Sequence, residues 1–144
     1  MRSTYRALAG LVALGVIAQA AFIAFGTFDV INVVEDGEIY DGDYNAGQVL
    51  HSIGAMAISA IGLALLIVSF FAKIPGGVKW AAIVIGLIAL QWALAVVAFE
   101  APVIGLLHGI NALVLAGAAG RAAALAREPA APAGQPPTRT TAPA

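Results

Sequence analysis

No cysteine occurs in the 144 residues, which excludes disulfides, thiolate metal sites and thiol redox chemistry. Charge is scarce as well: only 10% of the chain is Asp, Glu, Lys or Arg, against about 25% in a soluble domain. Between Arg6 and Lys73 there is no Lys or Arg at all. Neither a phosphate-binding glycine loop nor a basic patch interleaved with aromatics is present, so nucleotide hydrolysis and nucleic-acid binding have no support. Of seven prolines, five fall in the last 17 residues, which leaves the remainder free for long helices.

What fills the chain is apolar: 61% of residues are hydrophobic and the mean hydropathy is +0.94, the composition of an integral membrane protein embedded in a lipid bilayer. Four apolar stretches, at about residues 5–28, 47–72, 80–99 and 102–121, are each long enough to cross ~30 Å of hydrocarbon as a helix. Within the first, Ala18-Gln19-Ala20 has the small-x-small form of a signal-peptide cleavage site. The apolar run continues past it to Phe28 and exceeds the ~7 to 15 residues of such a segment. Lys73-Ile74-Pro75-Gly76-Gly77 reads as a turn. Pro102 suits the first turn of the fourth helix, where its missing N–H costs nothing. The expected fold is all-α, an up-down-up-down four-helix membrane bundle over residues 1–127.

Residues 29–46 read as one acidic loop, with Val30 to Val34 as a short extended piece. Asp41-Gly42-Asp43-Tyr44-Asn45 begins like a calcium loop. The pattern fails where a turn glycine and a terminal glutamate are required, at Ala46 and Ser52, so a solvated loop is the better reading. All seven Lys and Arg fall on one side of the four-span arrangement and seven of the eight acids on the other. The positive-inside rule then puts both termini in the cytoplasm, and the Ala/Gly/Val-rich composition suits a bacterial plasma membrane.

Polar side chains inside the spans are few and therefore informative. Counted inward from the acidic ends of the helices at 1.5 Å per residue, His51 lies at roughly 7 Å, His108 at roughly 10 Å, Gln91 at roughly 12 Å, Gln19 at roughly 13 Å and Asn111 at roughly 15 Å. Four helices thus contribute to one layer, and polar groups at such depth face the bundle interior. In an up-down-up-down bundle spans two and four are diagonal, roughly 11 to 14 Å apart. Histidines across that gap are poorly placed for a direct hydrogen bond, yet both could reach one iron lying between them. Small residues flank each: Gly105, Gly109 and Ala112 beside His108, and Ala55 and Gly62 below His51. Such stripes leave room for a flat ring and equally serve ordinary helix packing.

The combination of Leu90-Gln91 with His108-Gly109-Ile110-Asn111-Ala112, together with His51 and Gly54, resembles one four-helix half of haem A synthase. It is similar as well to a family of small four-span actinobacterial membrane proteins. The resemblance spans residues 5–125 and implies a b-type haem with His51 and His108 as axial metal ligands, and Gln19, Gln91 and Asn111 around them. It departs at Gln48 and Ser52, where the synthase carries a glutamate and an arginine, which speaks against haem A synthase chemistry. No residue is nominated as catalytic. Two functions are in competition: haem-based electron transfer with a membrane redox partner or within a homo-oligomer, and a structural or accessory subunit whose polar layer fixes helix register.

The tail 128–144, rich in Pro, Ala and Thr, reads as disordered because it has almost no large apolar side chain to offset the cost of ordering. Truncation after Arg127 is expected to leave expression and thermal stability in detergent nearly unchanged; a large loss of either would show that the tail docks on the bundle.

Overall fold

The computed structural model describes residues 1–127 and is entirely helical among them; the tail expectation lies outside the described residues. Its elements are α1 (Arg2–Glu35), α2 (Ala46–Ala72), α3 (Gly77–Glu100), a 3-10 turn (Pro102–Ile104) and α4 (Gly105–Leu125). Each of the four helices has a mean hydropathy of 1.8 to 2.5 over an 18-residue window, and only 11% to 28% of that window is buried. Most apolar side chains, Leu14, Phe25, Phe70, Val96 and Leu113 among them, therefore face outward. An outward apolar surface on helices of spanning length is that of a multi-pass membrane protein in contact with lipid. Around the bundle α1 packs on α2 and α4, and α3 packs on the same two helices, which leaves α2 and α4 on one diagonal.

Helix ends follow local chemistry, and several differ from expectation: α1 begins at Arg2 rather than residue 5 and α4 runs to Leu125 rather than 121, and two larger differences concern the end of α1 and the start of α3. α1 does not stop at Phe28, and Val30 to Val34 are helical rather than extended. Nothing from Asp29 to Glu35 breaks a helix; the first residue that does is Gly37, with φ +81. There the Gly37 N–H bonds Val34 O at 3.1 Å and the Glu38 N–H bonds Val33 O at 3.1 Å, the paired 5→2 and 6→1 closure of a glycine-terminated helix. The loop is accordingly shortened to residues 36–45. Asp41, part of the calcium-like run, accepts the Asp43 N–H at 2.9 Å and so forms a local turn. α2 then opens on a reciprocal cap: Asn45 Oδ1 accepts the Gln48 N–H and Gln48 Oε1 accepts the Asn45 N–H, both at 3.0 Å. The other side of the same cap reaches α1, since Asn45 Nδ2 donates to Gly26 O at 2.8 Å.

Between α2 and α3 the chain turns on Lys73 (φ 50) and Gly76 (φ 74), and α3 begins at Gly77, one turn earlier than Trp80. α2 ends on Lys73, its C-cap in the left-handed conformation, and of the glycine pair only Gly76 takes that conformation, as the N-cap of α3. The start of α1 closes over this turn. The buried Tyr5 hydroxyl donates to Gly77 O at 2.9 Å, and Arg2 Nη1 donates to Lys73 O at 3.4 Å. Pro102 occupies the first turn leading into α4, as its fixed φ favours.

Packing is uneven along the bundle. Tyr5, Ala9, Val12 and Val16 of α1, Ile58 and Leu65 of α2, Ala81, Val84 and Ile88 of α3, and Leu115, Ala118, Ala119 and Ala122 of α4 form a core in the half that carries the basic residues. Toward the acidic end, beyond the level of Gln19, His51, Gln91 and His108, the only buried residues among those described are Gly26 and Gly47. These two glycines are where α1 and α2 touch backbone to backbone: a Cβ built on Gly47 would lie 2.6 Å from Gly26 Cα and from Phe22 O. Gly86, by contrast, has nothing within 4 Å of such an atom. Gly47→Ala is therefore expected to lower stability in detergent by about 1 to 3 kcal/mol, the cost of overpacking a close crossing. Gly86→Ala should be neutral or slightly stabilising. Equal melting temperatures for the two variants would contradict the crossing.

Candidate functional site

The five polar residues of the spans meet in one layer, directly above the apolar core. Both imidazoles are half-buried, and their ring centroids lie 6.4 Å apart with an interplanar angle of 52°. Each is held by the helix beside it in sequence rather than by its opposite number. His108 Nδ1 contacts the backbone carbonyl of Gln91 on α3 at 3.2 Å, and His51 Nδ1 contacts the backbone carbonyl of Gln19 on α1 at 3.1 Å. A carbonyl only accepts, so each of these bonds requires the proton on Nδ1 and leaves Nε2 with its lone pair.

The same glutamines also return a bond. Gln91 Nε2 donates to His108 O at 3.0 Å. Gln19 matches it when its amide is oriented with nitrogen toward His51 O, at 2.7 Å, and oxygen toward the Ala55 N–H, at 3.3 Å. Each glutamine thereby grips a histidine twice, at the ring through its main chain and at the main chain through its side chain. The acceptors for Nδ1 are thus backbone carbonyls and not the side-chain carbonyls of Gln91 or Asn111. A span's carbonyl is available because a polar side chain with a donor can share it with the helix ladder.

Beyond this shared pattern the two halves differ. Asn111, which is buried, donates from Nδ2 to Leu87 O at 2.9 Å and to Gln91 Oε1, fixing the Gln91 amide in one orientation. The residue at the corresponding place on α2 is Gly54. A Cβ there would lie 3.1 Å from Gln19 Cδ and closer still to the amide, so Gly54 makes the space the Gln19 side chain occupies. With the same amide orientation, the Gln19 nitrogen also lies 2.8 Å from His51 Nδ1. Beside His51 a cavity of about 140 Å³ opens toward the acidic end, lined by Ile23, Tyr44, Gln48, His51, Ser52 and Phe99. No group of three or more His, Cys, Asp or Glu side chains gathers anywhere among the described residues.

The two carbonyls, and the room that Gly54 makes for the Gln19 side chain, are the site features that reading the spans one by one does not find. A signal for the pairing is nevertheless present: Leu50-His51-Ser52-Ile53-Gly54-Ala55 and Leu107-His108-Gly109-Ile110-Asn111-Ala112 agree at Leu, His, Ile and Ala. With α1 and α3 each supplying a glutamine, the molecule is two α-hairpins built on one plan and facing each other. Comparison with family models, curated proteins and solved structures finds no match to this chain, which leaves the geometry as the ground for a functional reading.

Proposed function

We propose that the protein binds one b-type haem between α2 and α4, with His51 and His108 as its axial ligands, and serves membrane electron transfer. The observation that carries this reading is the separation of the two rings. An imidazole nitrogen binds a metal at ~2.0 to 2.1 Å, and the centre of the ring sits about 1.1 Å behind that nitrogen. Two imidazoles on opposite faces of one metal therefore place their centroids roughly 6.3 Å apart. The rings here are at 6.4 Å. A direct imidazole–imidazole hydrogen bond is a poorer account, because with each ring's proton on Nδ1, toward the carbonyl of its own hairpin, neither Nε2 has a proton to donate.

The donor set points to a macrocycle rather than a bare ion. Two histidines without a third His, Cys or carboxylate nearby leave most coordination positions of a transition metal unfilled. The lack of a shared core beyond the layer, and the open space over Gly105 one turn from His108, fit a flat group between the hairpins. The haem supplies a one-electron couple. The residues hold it: a ring bonded through Nδ1 to the Gln19 or Gln91 carbonyl carries its proton there and has a more basic Nε2, while the Gln91 side chain ties the His108 main chain. At the acidic end, where no Lys or Arg lies between Arg6 and Lys73, Tyr44 and Gln48 line the space where a ring's carboxylate edge would lie, beside Ser52, whose hydroxyl donates to Gln48 O at 3.0 Å.

A second reading, that of an accessory subunit, draws on the satisfaction of the layer by itself: no buried side-chain nitrogen or oxygen among the described residues lacks a partner. Pyridine haemochrome analysis of protein purified after expression with ample haem separates the two. The haem reading expects about one haem per chain, a lowered content in both His51→Ala and His108→Ala, and a milder change of potential or occupancy in Gln91→Ala. Haem-free, well-folded wild type would overturn it; the accessory reading expects that result, with each histidine variant losing about 0.6 to 2 kcal/mol of stability.

Orientation belongs to the same proposal, with cytoplasmic termini and the acidic loop outside a plasma membrane. Ser3→Cys and Ile39→Cys test it in this cysteine-free chain; Ile39 is 92% exposed in the loop and takes no part in the α2 cap. An impermeant thiol reagent applied to intact cells should label position 39 and spare position 3, and the opposite pattern would invert the topology.

A further inference from the structure

The two histidines stand on near-identical segments but in unlike hydrogen-bond settings, and the difference bears on which of them can ligate at all times. On the α3–α4 side the Gln91 amide has no freedom. Its nitrogen is taken by His108 O, and its oxygen by Asn111 Nδ2, which is itself anchored on Leu87 O. Only the Gln91 carbonyl meets His108 Nδ1, so the ring has one tautomer, with the proton on Nδ1.

On the α1–α2 side Gly54 stands where Asn111 does, and no side chain from that position holds the Gln19 amide. His51 Nδ1 then faces two groups of opposite character, the Gln19 carbonyl at 3.1 Å and the Gln19 amide nitrogen at 2.8 Å. Bonded to the carbonyl, Nδ1 carries the proton and Nε2 is free to bind a metal. Bonded to the amide N–H, Nδ1 is the acceptor, the single ring proton sits on Nε2, and that nitrogen has no lone pair to give. Exchange between these forms moves one proton from Nδ1 to Nε2 with no change of charge. The cavity of about 140 Å³ that His51 lines has mainly apolar walls, but Tyr44, Gln48 and Ser52 bring polar groups to it, and it is large enough for the water that would carry the proton.

We propose that Gln19 is a positioning residue that makes His51 a conditional ligand, whereas Asn111, acting through Gln91, makes His108 a permanent one. This rests on the haem reading for its purpose but not for its test. A substitution at position 19 removes the amide while the main-chain carbonyl stays, so Gln19→Met separates the two partners of His51 Nδ1 cleanly. Imidazole ¹⁵N shifts, recorded on full-length protein expressed under haem depletion, distinguish Nδ1–H from Nε2–H directly. Wild type is expected to show His108 as Nδ1–H alone and His51 as a mixture of both forms. Gln19→Met should collapse His51 to Nδ1–H, and Asn111→Ala should admit the second form at His108.

Identical tautomer populations at the two histidines of wild type, or a His51 mixture unchanged by Gln19→Met, would overturn the proposal. Both outcomes are readable if the protein never binds haem, so failure of the haem reading is told apart by the haemochrome result. Haem release from loaded protein to an excess of scavenger gives a second measurement where the depleted form does not fold. With about half of His51 in the non-ligating form, Gln19→Met should hold haem about twofold more tightly. Asn111→Ala should release it faster than wild type. Equal release from all three proteins would count against the proposal as firmly as the spectra.

Discussion

A ring N–H carried into hydrocarbon must find its acceptor inside the protein, because lipid offers none. In this molecule that demand is met by main-chain carbonyls of the neighbouring helix, Gln19 O for His51 and Gln91 O for His108, and much else follows. A bond from a side chain to a helix backbone fixes the rotation of one helix about its axis and its slide along the other. Two such bonds, each reinforced by the glutamine's return contact to the histidine main chain, set the register of both hairpins at the same level. The distance between the rings is then a consequence of how the hairpins face each other, and not of anything the rings do to one another.

Lipid as solvent explains where the rest of the stability lies. No hydrophobic force drives one apolar helix onto another in a bilayer, so close approach and interhelical hydrogen bonds must do it. Close approach is supplied at Gly26 and Gly47, at the alanines of α4 that fill the core, and at Gly15, against which Ile58 packs. Interhelical bonds are supplied by Tyr5 to Gly77, by Trp92 to Ser59 at 3.0 Å, and by the polar layer. These ties cluster at and below the layer, apart from the Asn45 cap that joins α1 and α2. Above it the hairpins are held together by little besides their common lower half, which is the condition for admitting a flat group without dismantling the core.

The spans were readable from the sequence because twenty-residue apolar runs bounded by Pro, Gly and charge have few other meanings in proteins. The polar layer was readable too, since depth along a helix is simple arithmetic. Two things were not. α1 runs on to Glu35 because charge alone does not end a helix: Asp29 and Glu35 are acceptable helix residues, and polarity was mistaken for a loop until Gly37 supplied the left-handed conformation that stops it. The acceptors of the imidazoles were not readable, because backbone carbonyls leave no mark in a sequence. Comparing the two histidine segments with each other, rather than with a helix template, is what exposes the shared plan.

That plan also separates what the two hairpins must share from what they need not. From Gln19 to His51 is 32 residues, whereas from Gln91 to His108 is only 17. The excess is absorbed at the acidic end, where α1 overshoots and the loop of residues 36–45 returns to the Asn45 cap. Since both hairpins arrive at the same glutamine–histidine grip despite so different a connection, the grip is set by helix packing in the membrane and not by the length of the link. The acidic loop is thereby relieved of any part in placing the rings. Its sequence is free to answer to whatever meets the protein at that face, while the 6.4 Å between the imidazoles is held from below.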